Sequence, residues 1–494
     1  MKTVKIVGHG VAAGLLLAAS GARAADLPLK AKAVEYVKVC SLYGAGFYYV
    51  PGSDTCIKLG GYLRVDVLAN SNAVDTGNES GPGGAKNRFT NGYAWRSRED
   101  LNIDTRTATE YGVLRTYFDA RLTWTGGSYA GAAAGGTTYS GDAVAGGSLG
   151  VYYAFIQFGG FTIGKAVSQF STPWHNYPGN NFDGLVGGGG SDSGVNQFTY
   201  TAEFGQGISA AISVQDPTAY YQAGVDNLAV PGSFGYGTSD YGGTSIPDIV
   251  GQLRVDQTWG LFQASVAAHN NHAAYYGATA LSGHPDDVWG WAGQLGLSIK
   301  NIPTGPGDKI NIEGVYTNGA TRYNIQDLAT AAGAATVYGS SSVAYQSVGF
   351  GFAPDTVFGP GGSQQLVQTW GMRGAYTHNW APAWDSSIYG AYAAIRYTEA
   401  AKSLMCGAGG TVLAHLSAGS TCNPDYNIAE LGLVTRWTPV KDLVFSADVT
   451  WIHLDQNYAG FFDAASVALA KPATPYELKN QNTVMVLFRA QRNW

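Results

Sequence analysis

Seven arginines occupy the polar parity of alternating segments: Arg64, Arg96, Arg98, Arg106, Arg115 and Arg121 early in the chain, and Arg489 at its end. The same parity carries Asp66, Asp100, Asp104 and Asp119. A separate stretch, 169–194, holds Asp183 and Asp192 with no lysine or arginine, and Trp174, Tyr177 and Phe182 are available to pack it. Guanidinium groups facing carboxylates across a narrow water-filled gap make a transverse field that orders water and filters solutes by size and charge. We therefore expect a constriction built from Arg64, Arg96, Arg98, Arg115, Arg121 and Arg489 opposite Asp183 and Asp192, with Arg96, Arg98 and Arg115 at its narrowest point. The same arginines should also pair with the neighbouring aspartates and stiffen the wall.

Catalytic chemistry is poorly supported. The eight histidines are scattered, and the one close couple, His269 and His272, reads as solvated residues at a strand end. Nothing marks a nucleophile, a metal-ligand set or a phosphate-cradling loop, so no cofactor and no metal are expected. A hydrolase built into a membrane barrel is not excluded by composition, but charges spread around a wall suit permeation better than one reaction centre.

The four cysteines form two pairs of equal spacing, Cys40 with Cys56 and Cys406 with Cys422. In an oxidising compartment both would close local loops, each worth roughly 3 kcal/mol by chain entropy. Metal binding is the weaker alternative, since no CxxC or HxxxH spacing accompanies them.

The elements that must hold these residues alternate with a period of two. In 113–124, Leu114, Phe118, Ala120, Leu122 and Trp124 oppose Arg115, Tyr117, Asp119, Arg121 and Thr123; in 482–494, Val484, Val486, Phe488 and Ala490 oppose Thr483, Arg489 and Gln491. One apolar face per segment is the signature of a half-buried strand. Sixteen such segments are expected, near 57–69, 94–106, 111–125, 150–159, 161–168, 195–204, 207–215, 249–259, 261–270, 288–300, 309–317, 366–380, 384–398, 426–437, 442–454 and 482–494. The segment 150–159 fits least well, because Tyr152, Tyr153, Phe155, Ile156 and Phe158 put large residues on both faces.

Short connections alternate with eight long ones (70–93, 126–149, 169–194, 216–248, 271–287, 318–365, 399–425 and 455–481), which are rich in Gly, Ser, Ala and Asn and show no period. A compact soluble domain rarely carries one structureless loop of that length. A transmembrane barrel expects short turns at one end and long loops at the other. Closure satisfies every strand edge, as lipid demands. Trp124, Trp259, Trp289, Trp370, Trp380, Trp437, Trp451 and Trp494 lie on the apolar parity near strand ends, where an interfacial girdle belongs. A soluble β-sandwich would give these tryptophans a core role, but not the charged opposite faces. The fold expected is all-β: a transmembrane antiparallel barrel of about sixteen strands with an inward-folded third loop.

Composition agrees. Only 13% of the 494 residues are charged, 69 are glycine, and the formal charge is −6, which disfavours nucleic-acid binding. Mean hydropathy is −0.06, and no apolar run beyond the first residues is long enough for a spanning helix. Residues 1–24 read as a secretory signal: Lys2 and Lys5, an apolar run from Val11 to Ala19, and Ala22 and Ala24 before the cut. A membrane anchor is the alternative, with too short an apolar core. Removal leaves 26 basic and 35 acidic residues, a net −9. Residues 25–56 would be a periplasmic-side segment, and 57–494 the barrel.

Particular motifs resemble a known family. Ala25-Asp26-Leu27-Pro28, Val39-Cys40-Ser41-Leu42-Tyr43-Gly44, Gly46-Phe47-Tyr48-Tyr49, Asp54-Thr55-Cys56-Ile57-Lys58, Asp104-Thr105-Arg106-Thr107, Thr109-Glu110-Tyr111-Gly112 and Ala154-Phe155-Ile156-Gln157-Phe158 are similar to the general porins of alphaproteobacteria, especially the rhizobial group. The match is dense over roughly the first 165 residues. It implies an outer-membrane homotrimer, among lipid and lipopolysaccharide, of sixteen-stranded barrels that pass small hydrophilic solutes and ions, with the third loop as constriction. One departure is the terminal Trp494, where such barrels most often end in Phe. Two other readings stay open: a substrate-selective channel with an aromatic slide of Tyr117, Trp174 and Tyr177, and an exported adhesin without a pore.

Overall fold

The computed structural model describes residues 38–70, 93–126, 147–174, 178–182, 185–189, 194–220, 223–325, 336–339, 347–464 and 473–494. Sixteen antiparallel strands close into a barrel. They are β1 (Cys56–Asn70), β2 (Tyr93–Thr109), β3 (Gly112–Gly126), β4 (Ser148–Phe158), β5 (Phe161–Ala166), β6 (Val195–Gly205), β7 (Ile208–Gln215) and β8 (Asp248–Gln257). The second half comprises β9 (Gly260–Asn271), β10 (Val288–Lys300), β11 (Lys309–Asn318), β12 (Gln368–Ala381), β13 (Trp384–Arg396), β14 (Tyr426–Val440), β15 (Leu443–Gln456) and β16 (Gln481–Asn493). Closure is the pairing of β1 with β16, from Tyr62 opposite Asn493 to Asn70 opposite Met485.

The alternation places apolar side chains outside. Leu63, Leu122, Leu295, Ile388 and Leu433 are exposed on that face, and all eight expected tryptophans are exposed with them. This surface fits hydrocarbon and the aromatic interface on either side of it.

Strand β4 explains its ambiguous pattern through a bulge. Its register against β3 shifts between Asp119 and Ala120, so Tyr153 faces Asp119 while Val151 faces Ala120, and Tyr152 is the extra residue. A bulge sets two consecutive side chains on nearly the same side. Tyr152 and Tyr153 both turn inward, while Leu149, Val151, Ile156 and Phe158 stay outside.

The long connections are not all without structure, which corrects the reading from sequence. Val225–Pro231, Gly237–Ser239, Thr356–Phe358 and Gln365–Leu366 form one small sheet, and Thr336–Gly339, Ser347–Gly351, Gly460–Ala464 and Thr474–Leu478 another. A helix, Glu399–Cys406, starts where the Thr398 hydroxyl accepts the Ala401 N–H. These strands are 2–7 residues long and pair across distant sequence, as Thr356 does with Val225, so no period announces them. Tyr236, Phe350, Phe352, Val357, Tyr397, Met405, Tyr458, Phe462 and Tyr476 bury themselves there in a core continuous with inward residues of β12–β16, such as Ala393, Ile428, Val434, Ile452 and Met485. The external loops thus build a lid over that side of the mouth.

Cys40 is joined to Cys56 with Cα atoms 6.1 Å apart, beside the short strand Tyr48–Tyr49 that pairs with the start of β1. Cys406 is joined to Cys422 at 5.5 Å, tying the helix into the lid.

Candidate functional site: the lumen wall and the third loop

Register brings the early arginines and aspartates together. Asp66 on β1 faces Arg96 on β2 and Arg489 on β16. Its Oδ2 accepts from Arg96 Nε at 2.8 Å and Nη2 at 2.5 Å, and its Oδ1 from Arg489 Nε at 2.6 Å. One step along, Arg121 Nε donates to Asp100 at 2.9 Å and lies 3.8 Å from Asp119. Asp104 is shared, accepting from Arg106 Nη2 at 2.9 Å and Arg115 Nη2 at 3.0 Å. Arg115 also reaches Gln157 at 2.9 Å, and Arg64 Nε donates to Gln491 at 2.8 Å. Arg98 differs: its Nε donates to the Thr123 hydroxyl at 3.0 Å, while its buried Nη1 has no hydrogen-bond partner. Five of the seven expected arginines therefore sit on aspartates, and the wall-stiffening role is the visible one for Arg96, Arg106, Arg115, Arg121 and Arg489.

The connection between β5 and β6 enters the lumen and lies against the wall away from most of these arginines. Gln252 and Gln263 donate to the carbonyls of Gln169 and Ser171, at 2.7 and 2.9 Å. Thr172 Oγ1 donates to Glu313 at 2.5 Å, and the Gly189 N–H donates to Gln294 at 2.7 Å. Arg373 grips Glu313 and also donates to the Leu185 carbonyl at 3.0 Å; Arg436 donates to the Gly179 carbonyl at 2.9 Å. At the tip, the Asn181 N–H donates to Asp448 at 2.7 Å, and the Asn181 carbonyl accepts from Arg489 at 2.8 Å. Phe182, Leu185 and Val186 enter the same apolar core as the lid. Gly187 has a φ of +89°, and a Cβ there would lie 2.3 Å from the Met372 carbonyl oxygen, so the loop backbone rests directly on β12.

Asp183, Asp192 and Tyr177 lie outside the described residues, as does the signal segment 1–24. Trp174 is half-buried. The groups that hold the loop, Glu313, Arg373, Glu430, Arg436 and Asp448, were missed by the sequence reading, although Glu313 and Arg373 are direct cross-strand neighbours. Their inward parity was readable; that a loop would dock there was not. His269 also corrects an expectation. It is 1% exposed, with Nδ1 at 2.8 Å from Asp248 and Nε2 at 3.1 Å from the Tyr241 hydroxyl, because two external loops fold over that strand end. His272 is only partly covered, beside Asp287.

A barrel that turns grease outward, pairs its charges within and threads a long loop among them is an outer-membrane porin in architecture. The sequence agrees: residues 26–487 match the Porin subfamily, and the chain belongs to that family as a multi-pass protein of the outer membrane. Among its relatives, Porin Omp2b of Brucella suis biovar 1 (strain 1330) is 33% identical over 258 residues, 52% of this chain and 63% of that protein. Porin Omp2b of Brucella melitensis biotype 1 is 32% identical over the same lengths. The chain thus spans just under two thirds of the relatives it matches. Two solved barrels overlay at 10% identity: the anion-selective porin from Comamonas acidovorans, covering 89% of this chain and 100% of that one with a TM-score of 0.45, and the trimer form of OmpT from Vibrio cholerae, covering 90% and 100% with a TM-score of 0.43.

Proposed function

We propose that the chain forms a water-filled pore for passive diffusion of small hydrophilic solutes and ions, working as a homotrimer among outer-membrane lipid and lipopolysaccharide. Residues 1–24 serve as a removable export signal, and 25–56 form the periplasmic-side segment before the barrel. One observation carries the reading: a loop packed inside a closed, charge-lined barrel, which narrows a lumen without filling it with one reaction centre. The docked loop is bonded to β8–β12 and β14–β16 and the lid core joins β12–β16, which leaves the path along β2–β6. There Arg98 and the paired arginines face the third loop, whose Asp183 and Asp192 supply the opposing charge. The net −9 of the exported chain favours cations and the arginines oppose them, giving weak selectivity toward cations. At ~0.15 M salt, with a Debye length of about 8 Å, the distant charges are screened more than those at the constriction. Reconstitution into planar bilayers tests this directly. Stepwise conductance with a small cation-directed reversal potential supports it, and an absence of channels sinks it.

A further inference from the structure

On β3 and β4 the lumen face carries rings set among charged side chains. Tyr117 shares the inward parity of Arg115 and Asp119 and faces Phe155 across the ladder, with centroids 5.4 Å apart and planes 29° from parallel. Tyr153 lies 6.4 Å from Tyr117, and the bulge adds Tyr152 further along. All four are half-buried, so each keeps ring surface toward the lumen. The Arg121 guanidinium sits 3.7 Å from the Tyr152 centroid, and that of Arg115 sits 5.1 Å from Tyr117. Apolar area left in water forgoes about 25 cal/mol per Å² of burial, so a row of open rings on a wet wall is unfavourable unless something covers it.

The row ends at two unsatisfied groups. Arg98 is 6% exposed, its Nη1 has no partner, and no carboxylate lies within ion-pair distance of it among the described residues. The buried hydroxyl of Tyr62 also has no partner, and Tyr62 stands opposite Asp100, the carboxylate that Arg121 holds. Thr123, which Arg98 contacts, is six residues from Tyr117 on one strand, roughly 20 Å at the usual rise per residue. The track is therefore longer than one sugar ring. Along it Arg115 and Arg121 are paired with Asp104 and Asp100, whereas Arg98 meets no carboxylate among the described residues.

We propose that this strip binds short oligosaccharides, with pyranose C–H faces on Tyr117, Phe155, Tyr153 and Tyr152, and that Arg98 favours chains bearing a carboxylate. Aromatic faces suit the apolar side of a pyranose, and a buried, unpaired guanidinium suits a carboxylate. The inference deepens the porin reading and rests on it.

The test is block of single-channel current by trigalacturonate and by maltotriose. Both should interrupt the current, trigalacturonate at roughly tenfold lower concentration, the size of one charge-assisted contact. Tyr117→Ala with Phe155→Ala should raise the half-blocking concentration of both at least tenfold, whereas Arg98→Gln should erase only the preference between them. A conducting channel that neither sugar blocks, or one that acetate blocks as well as trigalacturonate, overturns the inference and leaves the porin reading intact. If no current is seen, the porin reading fails. Saturation-transfer NMR on the detergent-folded protein then decides the strip separately: maltotriose contact that the paired aromatic substitutions abolish supports it, and absence of contact overturns it.

Discussion

Arg489, on the last strand, and Asp66, on the first, meet at 2.6 Å across the seam that closes the barrel. The same carboxylate takes Arg96 from the second strand, so one aspartate holds three strands. Removing it leaves two buried guanidiniums without their anion. Asp66→Ala should cost about 3–5 kcal/mol, the range for breaking a buried pair from one side. Loss of the heat-resistant folded band on gels at a lower temperature than for the wild type would show this; an unchanged transition would deny the seam its role.

The loop rests on β12 through Gly187, where a side chain has neither room nor a favourable backbone conformation. Gly187→Val should lift the loop and raise single-channel conductance and the size limit for neutral polymers. Deleting 178–192 should widen the pore further while the barrel still forms, since the described residues of the loop make no strand pairing. The deletion also strips Phe182, Leu185 and Val186 from the lid core, so a lower melting temperature should accompany it. Unchanged conductance in both variants would remove the loop from the constriction.

Charge changes should separate by partner. Asp183→Asn with Asp192→Asn should move the reversal potential toward anions, and Arg98→Ser should move it toward cations. Arg96→Ser should do less than Arg98→Ser, because Arg96 is already compensated by Asp66, whereas Arg98 has no carboxylate among the described residues. Equal shifts from the two arginines would contradict that ordering.

Asp226 sits fully buried in the lid, where burial pushes its carboxyl up to about 8 against a smaller pull from the Gly237 amide. The unfolded carboxyl releases its proton near 4, so between about pH 4 and 8 the folded lid binds the extra proton. The stability due to this group is complete below about pH 4 and is lost as pH rises to about 8. Protease cleavage of the external loops should accelerate several-fold between pH 5.5 and 8.5 in the wild type. Asp226→Asn should flatten that dependence, and an equally steep profile in the variant would place the pH response elsewhere.

Glu99 faces outward between Leu63 and Leu122 and is half-buried on a surface that otherwise suits hydrocarbon. A carboxylate on the lipid face is unfavourable, so if the chain assembles as proposed, this part of β1–β3 is expected to meet a neighbouring subunit. Glu99→Arg should shift the protein from trimer to monomer in native-mass or crosslinking measurements. A trimer of undiminished stability would place the interface on another face.

The barrel was legible because each strand writes its environment in alternate letters. Leu122 and Trp124 against Arg121 and Thr123 need only one neighbour's parity to be placed. That the last strand pairs with the first followed from closure; the register that sets Asp66 opposite Arg489 did not. Tyr152 and Tyr153 defeated the alternation because one extra residue shifts the parity. His269 and the small lid sheets were hidden for a different reason: Asp248 neighbours the histidine on β8, but Asp355 and Tyr241, which cover it, lie in distant connections, as do the partners of the lid strands. The cradle of Arg373, Arg436 and Asp448 showed as charged inward positions, but the backbone they grip has no sequence mark.

Phe182 of the third loop belongs to the same apolar core as Phe350, Tyr476 and Met405 of the cell-surface lid. Connecting loops ordinarily vary more freely than the elements they join. Here a change in the lid also disturbs the packing that supports the third loop, so the mouth and the lumen loop cannot vary independently over that half of the barrel.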